Sequence, residues 1–403
     1  MTLADRTVVV GMCGGIACYK ACDVVRLLVR AGATVRVVMT AGAQQFVTPL
    51  TLQTLSGHPV ATETFDLTQE SQIGHIQLAD GADVVLVAPA TANVLAKMAH
   101  GIADDLLTTV LLATRAPVLV APAMNVNMWE HPATRENVAT LAKRGVRMVG
   151  PASGSLACGW EGAGRLSEPS DIVEAVERLL APQDLRGEHV LVSAGPTREA
   201  VDPVRYLSNH SSGKMGYAIA RAAQRRGATV TLVTGPTGLA APAGVETIAV
   251  DTATEMATAL GAAFTKATVL VMAAAVADYR VRRPAAQKMK KGARTMTLDL
   301  ERNPDILSGL AARKGRRFVV GFAAETQTLA AEARRKLRDK RLDLIVGNDV
   351  TAPGAGFGSD TNVVHLIAAD GEEAVLPVLT KDAVADRILD WVVARRPKTR
   401  RRR

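Results

Sequence analysis

The sequence predicts an α/β protein made of two doubly wound, Rossmann-like domains, and three observations predict it. Short, almost wholly apolar runs recur along the 403 residues, as strands buried on both faces require. Most are followed by a small-residue or polar turn and a segment of helical period, the repeat of a βαβ unit. The pattern then restarts near residue 189. Gly32-Ala33-Thr34-Val35 in the first half is echoed by Gly227-Ala228-Thr229-Val230 in the second. Two copies are too few for a solenoid, so the echo reads as two domains.

Thr7 to Val10 is the first expected strand and Gly11-Met12-Cys13-Gly14-Gly15-Ile16 the turn after it. A helix follows over Ala17 to Ala31, ended by Gly32, and a second strand runs from Thr34 to Val38. Asp83 to Ala88 is the next strand, followed by Pro89-Ala90-Thr91-Ala92-Asn93. A helix over 104–114 leads into a strand over 117–120. Residues 154–164, with four glycines, are expected to form a mobile loop. A helix over 171–180, capped by Ser170, closes a domain of residues 1–180. Residues 181–187 are the linker candidate. The second domain, 188–394, opens with strand and turn from His189 to Gly195. Later strands fall at 269–272, 318–320 and 342–346, and a last helix at about 382–393.

The net charge of +9 suggests a nucleic-acid partner until it is located. Residues 395–403 carry seven positive charges and no acid, which leaves about +2 for the rest. They read as a disordered solvated tail, and no nucleic-acid partner is expected. The four cysteines include no CxxC pair, so neither a zinc site nor a disulfide framework is expected. That usage fits a reducing cytoplasm. No signal pattern opens the chain, and no apolar run reaches membrane-spanning length.

Chemistry is expected where these strands end, because open α/β sheets bind ligands at their carboxyl ends. Ala121-Pro122-Ala123-Met124-Asn125-Val126-Asn127-Met128-Trp129 follows one such strand. The Asn125 amide offers both a donor and an acceptor, suited to a carboxylate or a flavin edge. The other reading is an asparagine that satisfies its own loop backbone. The Gly11 to Gly15 turn can bring backbone N–H groups and a helix start close to a phosphate. The second strand ends in Met39-Thr40, with no acid to bind a dinucleotide ribose. That favours a mononucleotide such as FMN.

Gly14-Gly15-Ile16-Ala17, His75, Ala88-Pro89-Ala90-Thr91-Ala92-Asn93, Ala121-Pro122-Ala123-Met124-Asn125 with Met128-Trp129, and Leu156-Ala157-Cys158-Gly159 occur in that order. Together they resemble the flavin-dependent cysteine decarboxylases, in their phosphopantothenoylcysteine decarboxylase branch, over about residues 1–180. The resemblance implies a flavodoxin-like fold with FMN held by Gly14, Gly15, Ile16, Ala17, Thr40, Ala88, Thr91, Asn93 and Ala123. It also implies that the substrate thiol is oxidised to a thioaldehyde, that CO2 leaves to give an ene-thiolate, and that the flavin returns the hydride. His75 would assist decarboxylation, Asn125 would hold the carboxylate and Cys158 would protonate the ene-thiolate. Cys13, Cys18 and Cys22 are read as helix-packing residues.

In the second half, Leu207-Ser208-Asn209-His210-Ser211-Ser212-Gly213-Lys214-Met215-Gly216 tempts a phosphate-loop reading. Ser208 stands where that motif needs glycine and Met215 where it needs a hydroxyl, so we reject it. Ala273-Ala274-Ala275-Val276-Ala277-Asp278 follows a buried strand. Lys288, Asn303-Pro304-Asp305-Ile306, Phe322, and Lys336 with Lys340 at helical spacing come after it. Lysines alternating with strand ends fit a triphosphate site.

These motifs resemble bacterial CTP-dependent phosphopantothenate–cysteine ligases over about residues 187–395. The resemblance implies that 4′-phosphopantothenate attacks CTP to give an acyl-cytidylate and pyrophosphate, and that L-cysteine then displaces the nucleotide. Asn209 would position the acyl-cytidylate and Lys288 would meet charge on the triphosphate. CTP would be held by Ala273, Ala274, Ala275, Asp278, Lys288, Asn303, Pro304, Asp305, Ile306, Phe322, Lys336 and Lys340. Mg2+ would bridge phosphates, with no protein ligands assigned. The two reactions are consecutive, 4′-phosphopantothenoylcysteine passing from one to the other on the way to coenzyme A.

Two alternatives are an NAD(P) oxidoreductase, weighed against by Thr40 and Thr234, and a non-catalytic flavoprotein regulator, weighed against by Cys158. In the families, decarboxylase units form trimers with the flavin at the subunit boundary and ligase units form dimers, which implies a homo-dodecamer.

Overall fold

The computed structural model describes residues 3–64, 74–155, 160–290, 295–325, 329–349, 356 and 358–396. It divides into two compact units, Met1–Ala181 and Pro182–Arg403.

In the first unit β1 (Thr7–Met12), β2 (Thr34–Met39), β3 (Val84–Ala90), β4 (Val118–Pro122) and β5 (Arg147–Met148) form one parallel sheet. Its order is β2-β1-β3-β4-β5, the flavodoxin-like order, whose direction reverses between β1 and β3. Residues on a strand alternate between faces, and here both faces are covered. Val8, Val10 and Met12 feed one core; Val9 and Cys13 feed the other. Val84, Leu86 and Ala88 are divided from Val85, Val87 and Ala90 in the same way. The strands are uniformly apolar because they have no solvent side. The helix Cys18–Arg30 buries Cys18, Ala21, Val24, Val25 and Leu28, one stripe at helical spacing. Burial pushes the Cys13 thiol up to about 12 and raises those of Cys18 and Cys22. They are packing residues, as expected.

Two expectations are corrected here. The glycine-rich stretch is no loop at its flanks: β6 (Ala152–Ser155) and β7 (Glu161–Arg165) pair antiparallel. The closing helix runs Pro169–Leu180 and is preceded by Glu168, with no side-chain cap from Ser170. Proline in the first helical turn needs no N–H partner, so the helix starts two residues earlier, at Pro169.

The second unit contains β8 (His189–Ala194), β9 (Glu199–Ala200), β10 (Tyr206–Leu207), β11 (Thr229–Thr234), β12 (Glu246–Ala249), β13 (Val269–Met272), β14 (Tyr279–Val281) and β15 (Leu300–Arg302). They are followed by β16 (Phe318–Glu325), β17 (Leu344–Asp349), β18 (Thr361–Asn362), β19 (Val364–Ala368), β20 (Glu373–Val375) and β21 (Leu379–Thr380). The main sheet has the order β12-β11-β8-β13-β16-β17-β19-β20. Its first six strands are parallel, the Rossmann order with a switch point between β8 and β13. β19 and β20 add an antiparallel edge. Val190, Val192, Val230 and Leu232 pack on one face, Leu191, Val233 and Leu270 on the other.

The stretch expected as a linker packs on this unit. Leu185 is fully buried in its core, and Asp184 pairs with the buried Arg226 at 2.6 Å. The expected tail also begins later than charge alone suggests. Arg395 ends the helix Lys381–Arg395, stacks on Trp391 at 4.2 Å and pairs with Asp370 and Glu372. Arg396 pairs with Glu188. Acidic partners hold both arginines in the fold. Residues 397–403 lie outside the described residues.

Candidate active sites

At the carboxyl ends of β1, β3 and β4, a cavity of about 580 Å³ opens in the first unit. It is lined by Gly14, Gly15, Ile16, Ala17, Tyr19, Lys20, Thr91, Ala123, Met124, Asn125, Met128, Gly164, Arg165 and Leu166. Gly14 and Gly15 serve different ends. A β-carbon on Gly14 would sit 2.8 Å from the Gly42 backbone, whereas one on Gly15 would meet nothing within 4 Å. Gly14 lets two turns pack; Gly15 leaves ligand space open. Thr91 caps the helix Ala92–His100, its hydroxyl accepting from Val94 N at 3.4 Å.

Asn125 stands just beyond β4 and caps the helix Val126–Glu130. Its Oδ1 accepts from Asn127 N at 2.9 Å. The loop-satisfying role is thus real, and the same residue still lines the cavity. The hairpin strand β7 closes the wall behind it, with Met124 N donating to Gly164 O at 2.9 Å.

Other expected residues stand elsewhere. Thr40 Oγ1 accepts from Ala43 N at 3.3 Å, in the turn against which Gly14 packs. Ala88 is fully buried in the core, and Asn93 is exposed in the first turn of its helix. His75 lies on the helix Gly74–Asp80, half-buried, and does not line the cavity. Cys158 lies outside the described residues.

In the second unit Asn209 Nδ2 donates to Ala275 O at 2.6 Å, and its Oδ1 accepts from Ser211 N at 3.0 Å. Ala273, Ala274 and Ala275 follow β13 at the switch point. Ala274 N donates to the buried Ser193 hydroxyl, Ala275 N to Gly195 O and Ala277 N to Thr197 Oγ1. Asn303 N donates to Asp278 O, and Asn303 Nδ2 to Ala277 O, both at 2.8 Å. The Asp278 side chain is exposed. Asp305 caps the helix Ile306–Ala311 and pairs with Lys340 at 2.9 Å. Pro304 is exposed, while Ile306 is buried in the core and offers a ligand only its backbone. Lys336 is half-buried on the helix Leu329–Asp339, and Phe322 packs partly against the core.

Lys288 is exposed, and the residue after it is tethered. Met289 N donates to Asp202 Oδ2 at 3.1 Å, and Met289 O accepts from Arg205. The Arg205 guanidinium beside Asp202, aided by backbone N–H groups, holds that carboxyl well below the usual range. Lys214, from the rejected phosphate loop, is taken up by Asp360 at 2.6 Å and Gly358 O at 2.8 Å.

The strand-end rule misses Lys20 and Arg165, which line the first unit's cavity, and the buried polar groups of Asp202 and Asn348 in the second unit. The Asn348 Oδ1, in β17, is a buried oxygen with no hydrogen-bond partner among the described residues. A polar residue closing an apolar strand was the available signal. Among the described residues no group of three His, Cys, Asp or Glu side chains gathers as a metal site, and no helix is long and apolar enough to cross a membrane.

Comparison with known proteins accounts for nearly the whole chain. The family model described as Flavoprotein matches residues 2–181, and the DNA/pantothenate metabolism flavoprotein C-terminal domain matches residues 185–395. The chain is 49% identical over 396 residues to the coenzyme A biosynthesis bifunctional protein CoaBC of Bacillus subtilis, covering 97% of this chain and 98% of the relative. It is 48% identical over 407 residues to the protein of that name from Escherichia coli K12, with 100% of both covered. A solved C-terminal domain of a CoaBC protein is 40% identical, with a TM-score of 0.46 over 53% of this chain and 97% of that one.

Fold and sites define a two-unit α/β enzyme whose first unit is a flavoprotein. The chain belongs to the family of coenzyme A biosynthesis bifunctional proteins. It is accordingly both a lyase and a ligase, a phosphopantothenoylcysteine decarboxylase joined to a phosphopantothenate–cysteine ligase. That membership sets aside the oxidoreductase and regulator alternatives.

Proposed function

We propose that the second unit acts first, joining 4′-phosphopantothenate to L-cysteine with CTP, and that the first unit then decarboxylates the product to 4′-phosphopantetheine. A carboxylate is a poor electrophile. Its oxygen attacks the α-phosphate of CTP, pyrophosphate leaves, and the cysteine amine attacks the acyl carbon with CMP leaving. Asn209, fixed to Ala275, positions the acyl-cytidylate. Lys288 meets charge on the triphosphate, and Asp278, Asn303, Asp305 and Lys340 form the nucleotide's neighbourhood. Mg2+, held by the nucleotide's phosphates and not by a protein cluster, would offset their charge there.

In the first unit the cavity's size and the open space at Gly15 suit FMN, with the glycine turn receiving its phosphate. FMN, when bound, supplies a two-electron store for the substrate's oxidation and later reduction. Asn125 holds the substrate carboxylate so that it is lost as CO2, and Cys158 delivers the proton to the ene-thiolate carbon. His75 does not line its own chain's cavity. Ile16 and Tyr19, about three-fifths exposed at the rim, favour association with other copies, so that His75 is contributed by a neighbour. Decarboxylase trimers and ligase dimers combine into a cytoplasmic dodecamer.

The observation that carries this reading is the convergence of Gly15, Thr91 and Asn125, from three strand ends, on one cavity. The test is incubation with phosphopantothenate, cysteine, CTP and Mg2+, following pyrophosphate and CO2. Both should appear, pyrophosphate first; CO2 from added phosphopantothenoylcysteine without flavin bound to the protein would overturn the first-unit mechanism.

A further inference from the structure

The first unit's cavity has an uneven charge. Among the described residues that line it, only Lys20 and Arg165 carry charged side chains, and both are cations. They come from different walls: Lys20 from the first turn of the helix Cys18–Arg30, Arg165 from the end of β7. That helix turn contains no acid, so its positive end adds to theirs. Both cations bind one carboxylate oxygen, Glu168 Oε1, at 3.3 Å from Lys20 Nζ and 2.6 Å from Arg165 Nη2. The Lys20 side chain is only 18% exposed, whereas Glu168 is 50% exposed. A half-exposed carboxylate, screened by solvent, contributes little to such a pair. An incoming dianion can displace it readily. The guanidinium then offers two parallel donors to a phosphate, and the ammonium a third.

We propose that Lys20 and Arg165 form a subsite for a phosphate monoester, that of the acyl-cysteine substrate, with Glu168 as a resident counter-ion that gives way when substrate enters. This rests on the reading of the cavity as the decarboxylase site, in which the glycine turn already receives the flavin's phosphate. The pair would make the enzyme discriminate phosphorylated from unphosphorylated substrate, while Asn125 reads the carboxylate common to both.

The test uses the full chain with flavin bound and compares KM for 4′-phosphopantothenoylcysteine and pantothenoylcysteine in Lys20→Gln, Arg165→Gln and Glu168→Gln. The first two should raise KM for the phosphorylated substrate about tenfold or more, leave the unphosphorylated one unchanged and retain flavin absorbance. Glu168→Gln should act in the opposite direction and lower KM for the phosphorylated substrate, because it removes the competing anion. A merely structural triad would make all three variants lose activity alike on both substrates, and that result would overturn the subsite. Loss of bound flavin, restored by excess FMN and not by riboflavin, would give the pair to the cofactor's phosphate and overturn the substrate assignment. A wild-type chain that released CO2 from neither substrate would sink the reading of the cavity itself.

Discussion

Gly164 and Met124 meet backbone to backbone. The Gly164 carbonyl accepts from Met124 N at 2.9 Å, and a β-carbon on Gly164, at φ +151°, would run into the Met124 carbonyl oxygen. The hairpin is therefore docked on the turn that carries Asn125.

Gly164→Ala should lift β7 away from that turn. We expect a loss of about 1–3 kcal/mol in first-unit stability, with decarboxylation falling further than ligation. Gly15→Ala should do the reverse. It meets no neighbour within 4 Å, so thermal stability should hold while flavin affinity drops. Flavin titration beside thermal denaturation separates the two.

Asn209→Ala removes the 2.6 Å bond to Ala275 O. Misplacing a positioning group can lower a rate about a hundredfold, and a loss of that order is expected in cysteine-dependent turnover of the acyl-cytidylate. CO2 release from supplied phosphopantothenoylcysteine should not change. Quenched-flow detection of the intermediate checks it.

The Asp202 carboxyl is held below its usual range chiefly by Arg205. A depressed acid stabilises the fold above its unfolded pKa, about 3.9, and that contribution fades as pH falls toward the folded value. Asp202→Asn should therefore speed hydrogen exchange at Val204, Arg205 and Met289 near neutral pH. The difference from wild type should shrink below about pH 4. A difference that widened in acid would contradict the assignment.

Lys340 is paired with Asp305, and the two side chains are 27% and 52% exposed. Such a pair adds at most about 1 kcal/mol, so Lys340→Gln should leave the melting temperature nearly unchanged. Its effect should appear as a KM for CTP raised about tenfold, the equivalent of about 1.4 kcal/mol. Chelating Mg2+ with EDTA should stop pyrophosphate release and spare decarboxylation, which initial-rate assays of each half would show.

Much of this architecture is legible in residue order because its strands are buried on both faces. The run 269–272 is matched to the residue by β13. Other strands run past their expected ends because turn-like residues still pair: Met12 lies beside Met39, and Ala90 beside Pro122. Glycines near 160 suggest mobility from sequence, whereas Gly164 serves close approach. At the first site, the strand-end rule finds Gly14, Gly15, Thr91 and Asn125. It misses Lys20, in the first turn of a helix, and Arg165, brought alongside by a hairpin. Tertiary approach, not spacing, places both.

Anyone dividing this polypeptide into halves should cut ahead of Pro182. A shortened ligase beginning at Glu188 would lack Leu185, opening a void under the sheet, and would leave the Arg226 guanidinium with Asp390 but without Asp184. A fragment trimmed to the apparent start of its first strand would be expected to aggregate for reasons unrelated to its catalytic residues.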